Sequence, residues 1–283
     1  MKNKNLSIFI FKIIPKSLLS RIFGYIALIP IPVFLMGKLI KWYSGKFGVK
    51  NEYIIPEKGF KNFNDFFTRK LKPGIHKIDT STLSIVSPVD ARIDQYGAID
   101  GSYIIQAKGI NYSVYDLVPS ETSNFFTGGS FMTLYLSPGD YHRIHSPVDG
   151  KIIGYFNIPG KLFTVQEYMV NGLNGLFNLN ERLISYIKTN RGLVGVCKVG
   201  AMNVGKISLS YDSIITNKAI RSKNEFFYPE TDQKEIKKGD ELGIFNLGST
   251  IILLFEKNMI KFDNFTPGTN IRLGEKIGIF SKN

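Results

Sequence analysis

The 283-residue sequence has one cysteine, three histidines and no acidic residue among its first fifty positions. A single cysteine excludes an internal disulfide, so the fold must rest on packing alone. Cys197 lies in the apolar run Leu193–Val199 and reads as a buried thiol, suited to a reducing compartment. No glycine-rich phosphate loop stands beside a distinctive lysine, which removes the usual pyridoxal-phosphate pattern. A clean membrane span is also missing. The apolar stretch Ile22–Met36 is fifteen residues long and is broken by Pro30 and Pro32. A spanning helix needs about 20 apolar residues, and each proline removes a helix hydrogen bond. Lys12, Lys16 and Arg21 precede the stretch as in a secretion signal, but no small-residue cleavage pattern follows it.

What the chain does have is charge of one sign, unevenly placed. The net charge is +13, and the first fifty residues hold nine Lys or Arg. About +4 is left for the remainder. A uniformly basic chain would point to nucleic acid. A basic segment rich in Ile, Leu and Phe points instead to an anionic membrane surface. Residues 1–45 are therefore expected to be amphipathic helices lying in a membrane interface, with no nucleic-acid partner. A spanning or re-entrant hairpin and a core-packed helix pair are the competing readings.

Residues 46–283 read as one further domain, which begins with a transition region over 46–80. Phe60, Phe63, Phe66 and Phe67 recur at helical spacing. They suit core packing, or proximity to lipid acyl chains. From about residue 82 the chain is strand-rich, with short runs at Phe131–Leu136, Lys151–Phe156, Gly205–Ser210 and Thr250–Phe255. One helix is expected at about Leu179–Lys188. The class is α+β, with N-terminal membrane-contacting helices followed by a β-rich, barrel-sandwich-like core.

Two internal echoes shape that core. Ser-Pro-Val-Asp occurs at Ser87–Asp90 and again at Ser146–Asp149. Ile236–Phe245 reappears thirty-five residues later as Ile271–Phe280, each a strand, a glycine turn and a strand. This is the shape of a hammerhead hairpin in a barrel-sandwich hybrid, as in biotinyl and lipoyl carrier domains. Two copies predict a duplicated barrel.

Leu247-Gly248-Ser249-Thr250 sits before the apolar run Ile251–Phe255. Alone it reads as a turn entering a strand. Tyr141-His142-Arg143-Ile144-His145 holds two of the three histidines, and Ser87-Pro88-Val89-Asp90 supplies a carboxylate. Phe63–Arg69, Gln106–Gly109 with Asn111–Ser113, Tyr135–His145, Asn180–Arg182 and Val199–Ala201 complete an ordered set. Together these segments resemble phosphatidylserine decarboxylase, a pyruvoyl-dependent family that makes phosphatidylethanolamine.

The resemblance implies a chain cut between Gly248 and Ser249, giving fragments 1–248 and 249–283. Ser249 would become a covalent pyruvoyl group, the cofactor and Schiff-base partner of the substrate. Decarboxylation leaves electrons on the α-carbon, and side chains are poor electron sinks. A weak serine nucleophile needs a base, and the base needs an orienting group. The resemblance makes Asp90, His145 and Ser249 the self-cleavage triad, and His142 a residue that assists decarboxylation or contacts the head group. Asp149 lies only four residues after His145, but order and context favour Asp90. The family usually has glycine where Ala91 stands, which would cost about 1 kcal/mol at a positive φ. The implied partners are an anionic phospholipid substrate, a membrane surface, and a heterodimer of the chain's own two fragments, with room for further dimerisation. The implied location is peripheral, on the cytoplasmic face of an inner membrane, with no metal.

Two rival readings carry different chemistry. His142, His145 and an Asp could form a zinc hydrolase site, although the spacing on an irregular loop is a weak ligand signature. The duplicated hairpins could form a non-enzymatic membrane carrier or adaptor. Neither hairpin shows the lysine between small residues that a biotinyl or lipoyl carrier needs.

Overall fold

A computed structural model describes residues 16–107, 109–202, 206–218, 222–246 and 249–281, and of Lys16, Ser17 and Ser249 the backbone alone. The first fifteen residues and Leu247-Gly248 lie outside the described residues. The basic N-terminal segment forms two helices, α1 (Lys16–Leu28) and α2 (Val33–Phe47). Pro30 and Pro32 separate them, and Pro32 caps α2. Gly48 ends α2 in the left-handed conformation, its N–H returning to the Ser44 carbonyl at 2.9 Å. The aromatic stripe forms a short helix, α3 (Phe63–Phe67), capped by the Asn62 side chain on the Asp65 N–H. Met36, Tyr43, Tyr53, Phe60, Phe66 and Phe67 bury together as one cluster. Among the described residues no helix is long and apolar enough to cross a membrane.

Strands follow in chain order. They are β1 (Ser84–Val86), β2 (Ala91–Ala98), β3 (Tyr103–Ala107), β4 (Ile110–Ser113) and β5 (Ser130–Tyr135). Next come β6 (Arg143–His145), β7 (Gly150–Ile158), β8 (Arg182–Thr189) and β9 (Gly192–Gly200). Then β10 (Lys206–Leu209), β11 (Asn224–Phe227), β12 (Lys234–Ile236) and β13 (Glu241–Asn246) lead to β14 (Ser249–Phe255). The last are β15 (Ile260–Phe262), β16 (Asn270–Ile271) and β17 (Lys276–Phe280).

A nine-stranded antiparallel sheet runs β11-β7-β8-β9-β14-β5-β2-β16, with β12 also on β7. Its central strands are buried on both faces. Along β14, Ile251, Leu253 and Phe255 enter one core, while Ile252 and Leu254 enter the other. Two three-stranded sheets, β1-β17-β15 and β10-β13-β6, contribute to the first core. Cys197 lies in the second core, where burial pushes its thiol up to about 12.

The duplication is visible in the pairing. The first loop joins β1 to β2, which pair with β17 and β16; the second joins β6 to β7, which pair with β13 and β12. Each hairpin is thus divided between a small sheet and the large one. The expected barrel does not close among the described residues, because its sheets stay open. The helix expected at Leu179–Lys188 is a correction: Arg182–Thr189 is strand β8. Leu183 and Ile187 face one core, Ile184 and Tyr186 the other. A segment buried on both faces shows no alternation to separate helix from strand, and a site between two cores selects the strand. Ala91 is not among the residues with positive φ, so it carries no strain in place of glycine.

Candidate active site

The site grows from the turn between β5 and β6. Asp140 Oδ2 accepts the Ser137 N–H at 2.6 Å, and the Ser137 carbonyl accepts the Asp140 N–H at 3.0 Å. Three groups clamp this turn. Arg69 Nη2 donates to the carbonyls of Gly139 and Asp140 at 2.8 and 3.0 Å. Tyr43 donates its hydroxyl to the Pro138 carbonyl at 2.9 Å. The end of α2 presses so closely that a Cβ on Gly139 would lie 2.1 Å from the Phe47 carbonyl oxygen.

His142 follows the turn and is fully buried. Its Nδ1 donates to the Asp140 carbonyl at 2.8 Å, and its ring lies 4.0 Å from that of Phe67. A carbonyl cannot donate, so the proton sits on Nδ1 and Nε2 keeps a lone pair. That Nε2 has no hydrogen-bond partner among the described residues. Burial first, and the Arg69 charge second, lower the ring to about 3, so it is neutral near pH 7. The His142 carbonyl accepts the Phe245 N–H at 2.9 Å, which sets this histidine level with the end of β13.

His145 has the same tautomer for the same reason. Its Nδ1 donates to the Gly239 carbonyl at 2.7 Å, and its Nε2 accepts from the Tyr141 hydroxyl at a long 3.3 Å. Burial pulls its pKa down, opposed by the Gly239 bond and Glu241. Asp90 is near in the backbone, since the His145 N–H bonds Pro88 at 2.9 Å. Its carboxylate is not hydrogen-bonded to His145. Asp90 Oδ1 accepts from His76 Nε2 at 2.6 Å and from the Leu273 N–H at 2.8 Å. Burial raises its pKa, but His76, Leu273 and Arg272 together hold it below the ordinary value. Asp149 is exposed and accepts the Lys238 N–H at 2.8 Å.

Ser249 opens β14 in register with Gly200, and Thr250 follows opposite Val199 and Tyr135. Gly248 lies outside the described residues. Asn180 anchors the neighbouring chain by donating Nδ2 to the carbonyls of Phe163 and Gly200, each at 2.9 Å. Buried Arg182 donates to the carbonyls of Asp116, Leu117, Asn178 and Asn180. The Asn180–Arg182 segment is therefore scaffold for the strands beside Ser249. Among the described residues no three His, Cys, Asp or Glu side chains converge as metal ligands do.

Two cavities are lined by residues that touch the histidines, Tyr141 in one and Phe67 in the other. A polar one of about 310 Å³ is lined by Lys50, Arg69, Asp90, Asp140, Tyr141 and Arg272, among others. Burial first, then the Asp90 charge, raise Asp140 to about 6 against the Ser137 N–H and Arg69. The other is apolar, about 800 Å³, between the N-terminal helices and the β domain, with Phe23, Trp42, Phe63, Phe67, Val165 and Met202 in its wall. Phe67 touches both His142 and this cavity. Sequence reading missed His76, Tyr141 and Arg69 as parts of the site. The scarcity of histidine was the available signal, since all three gather here.

The family model for phosphatidylserine decarboxylase matches residues 63–279. Among curated relatives named phosphatidylserine decarboxylase proenzyme, that of Myxococcus xanthus is 38% identical over 95% of this chain and 96% of its own length. Those of an Anaeromyxobacter species and of Nitrosospira multiformis are 35% and 39% identical, covering 98% and 97% of this chain and 99% and 96% of their own lengths. With a family match across the whole β domain and relatives alike from end to end, the chain belongs to the phosphatidylserine decarboxylase family.

Proposed function

We propose that this protein converts phosphatidylserine to phosphatidylethanolamine and carbon dioxide, with a pyruvoyl group made from its own Ser249. The observation that carries the reading is buried His142, whose Nε2 has no hydrogen-bond partner among the described residues and whose carbonyl holds the N–H of Phe245, four positions before Ser249 in the chain. An unpartnered acceptor inside a protein calls for a proton-bearing partner. A group formed at Ser249 that takes part in proton transfer fits it. A covalently held ketone there supplies the electron sink that decarboxylation needs.

The self-cleavage can be written through the chain's own atoms. Ser249 Oγ loses its proton and bonds to the Gly248 carbonyl carbon. The Gly248–Ser249 C–N bond breaks, and the nitrogen takes up the proton as an amine. Loss of the Ser249 Cα proton then breaks the Cβ–Oγ bond and frees the upstream chain as the Gly248 carboxylate. Water releases the nitrogen of the remaining dehydroalanine as ammonia and leaves the ketone. His145 Nε2 is the proposed base, because its long bond from Tyr141 is weak enough for a serine hydroxyl to replace. Asp90 adds a negative charge that reaches Tyr141. His142 serves the second reaction, taking a proton from the head-group amine and returning one to the carbon that has lost carbon dioxide.

The two fragments stay together because β14 is the centre of the nine-stranded sheet, between β9 and β5. The apolar cavity suits acyl chains. The helices that roof it expose Tyr25, Val33, Phe34 and Trp42 by more than half, beside Lys38, Lys41 and Lys46. Apolar side chains and cations on one segment suit peripheral attachment to the cytoplasmic face of a bacterial inner membrane. The test is an intact mass of the purified protein. Wild type should give fragments 1–248 and 249–283, the latter blocked at its first residue, and Ser249→Ala should stay whole and inactive. A single intact chain with full activity would refute the reading.

A further inference from the structure

The two Ser-Pro-Val-Asp loops form an internal comparison. In each, the serine hydroxyl donates to the valine carbonyl, at 2.7 Å for Ser87 and 2.6 Å for Ser146. Each serine exchanges backbone bonds with its hairpin, Ser87 with Gly274 and Glu275, Ser146 with Gly239 and Asp240. Each aspartate accepts one hairpin N–H at 2.8 Å. The copies part at the carboxylate. Asp149 is exposed and bonds only Lys238 among the described residues. Asp90 takes a second, shorter bond from His76, whose side chain is 6% exposed.

His76 is held from two directions. Two residues on, Ile78 wedges between the hairpin turns; a Cβ on Gly239 or Gly274 would meet it at 2.9 or 2.5 Å. On its other side, the His76 ring stacks on Tyr141 at 6.2 Å, and Tyr141 stacks on His145 at 5.7 Å. With Oδ1 committed to His76 and Leu273, Asp90 Oδ2 is the oxygen without a hydrogen-bond partner among the described residues. Asp90 and Tyr141 both line the polar cavity.

We infer that His76 is a positioning residue for self-cleavage, fixing the rotation of the Asp90 carboxylate so that Oδ2 is available on the cavity side with Tyr141 and His145. The inference rests on the self-cleavage reading. It explains why one of two near-identical loops bears a chemically placed carboxylate while its twin faces solvent. His76 touches no reacting atom; it acts through Asp90.

The experiment is a pulse-labelled time course of cutting in the full-length chain. His76→Phe keeps a ring but loses the donor. It should slow cutting by about tenfold or more, equal to about 1.4 kcal/mol of transition-state stabilisation. His76→Gln keeps an N–H donor and should cut within about threefold of wild type, less than 1 kcal/mol. Thermal unfolding in the Ser249→Ala background shows whether each variant folds. If His76→Phe does not, His76→Asn replaces it, since its shorter amide stops short of Asp90. A donor-free variant that folds and cuts at the wild-type rate overturns the inference, as does a folded His76→Gln as slow as His76→Phe. A wild-type chain that stays whole overturns the self-cleavage reading and this inference together.

Discussion

His142 Nδ1 donates to the Asp140 carbonyl at 2.8 Å, and this one bond leaves Nε2 as the ring nitrogen without a partner among the described residues. His145 is fixed likewise by the Gly239 carbonyl, but its Nε2 is engaged by Tyr141. The two histidines thus share a tautomer and differ in availability.

Their variants should separate. His145→Ala should accumulate the uncut chain on a denaturing gel. His142→Ala should still be cut, at least partly, and should lose about 10²–10⁴-fold in decarboxylation, the usual scale for a proton-transfer group. Equal processing defects in the two variants would show that the division of labour is wrong.

The duplicated loops give a paired test. Asp90→Asn keeps the acceptor for Leu273 but removes the charge beside His76, and it should block cutting as His145→Ala does. Asp149→Asn alters an exposed side chain with one backbone bond, and the gel should show normal fragments. The reverse pattern would assign the chemistry to the twin.

Much of this was legible in the sequence, for identifiable reasons. Strands β5, β7, β10 and β14 carry short apolar runs closed by Pro, Gly or polar residues, and both Ser-Pro-Val-Asp loops announce themselves by repetition. Arg182–Thr189 was not legible, because burial on both faces erases the alternation that marks a strand. The His76–Asp90 pair was not legible either. Fourteen residues separate the two, and tertiary contacts hold them together: the wedge of Ile78 into two glycine turns and the stacking of His76 on Tyr141. The hairpin echo was read correctly as a duplication, yet closure into a barrel depends on sheet edges that sequence does not specify.

Lys198 gives a prediction about stability. It is fully buried, donating Nζ to Ser185 Oγ at 2.6 Å and to the Val196 carbonyl at 3.2 Å. Burial lowers it from 10.5 to about 7. Between those values the unfolded chain holds a proton that the folded chain has shed, so stability should rise with pH across that window, by up to about 1.4 kcal/mol per unit. Below about pH 7 the lysine is protonated in both states and its burial cost is fully present. Lys198→Met should raise the unfolding free energy at pH 7 and flatten the slope. Denaturant melts between pH 7 and 10 read both effects, and an unchanged slope in the variant would show that another group governs it.

The last prediction concerns the membrane, and the packing of α2 refines how to test it. Removing residues 1–45 would also remove Tyr43, which holds the Pro138 carbonyl, so lost activity would not report membrane binding alone. Substitution on the outer face avoids this. Phe34 is 66% exposed and Tyr25 65%, the latter with Lys206 Nζ 5.8 Å from its ring, and neither lines the apolar cavity. Burial of a Phe side chain contributes about 1.5–3 kcal/mol. Phe34→Glu should therefore weaken sedimentation with anionic vesicles by about ten- to a hundredfold, and adding Tyr25→Glu should weaken it further. Binding should also fall with added salt, because each cation near an anionic surface adds about 1 kcal/mol that ions screen. Cutting at Gly248-Ser249 should proceed normally in both variants, since the proposed processing groups all lie beyond position 75. Normal vesicle binding by the double variant would mean that α1 and α2 do not meet the bilayer through this face. Its release from vesicles with intact processing would separate the anchor from the chemistry.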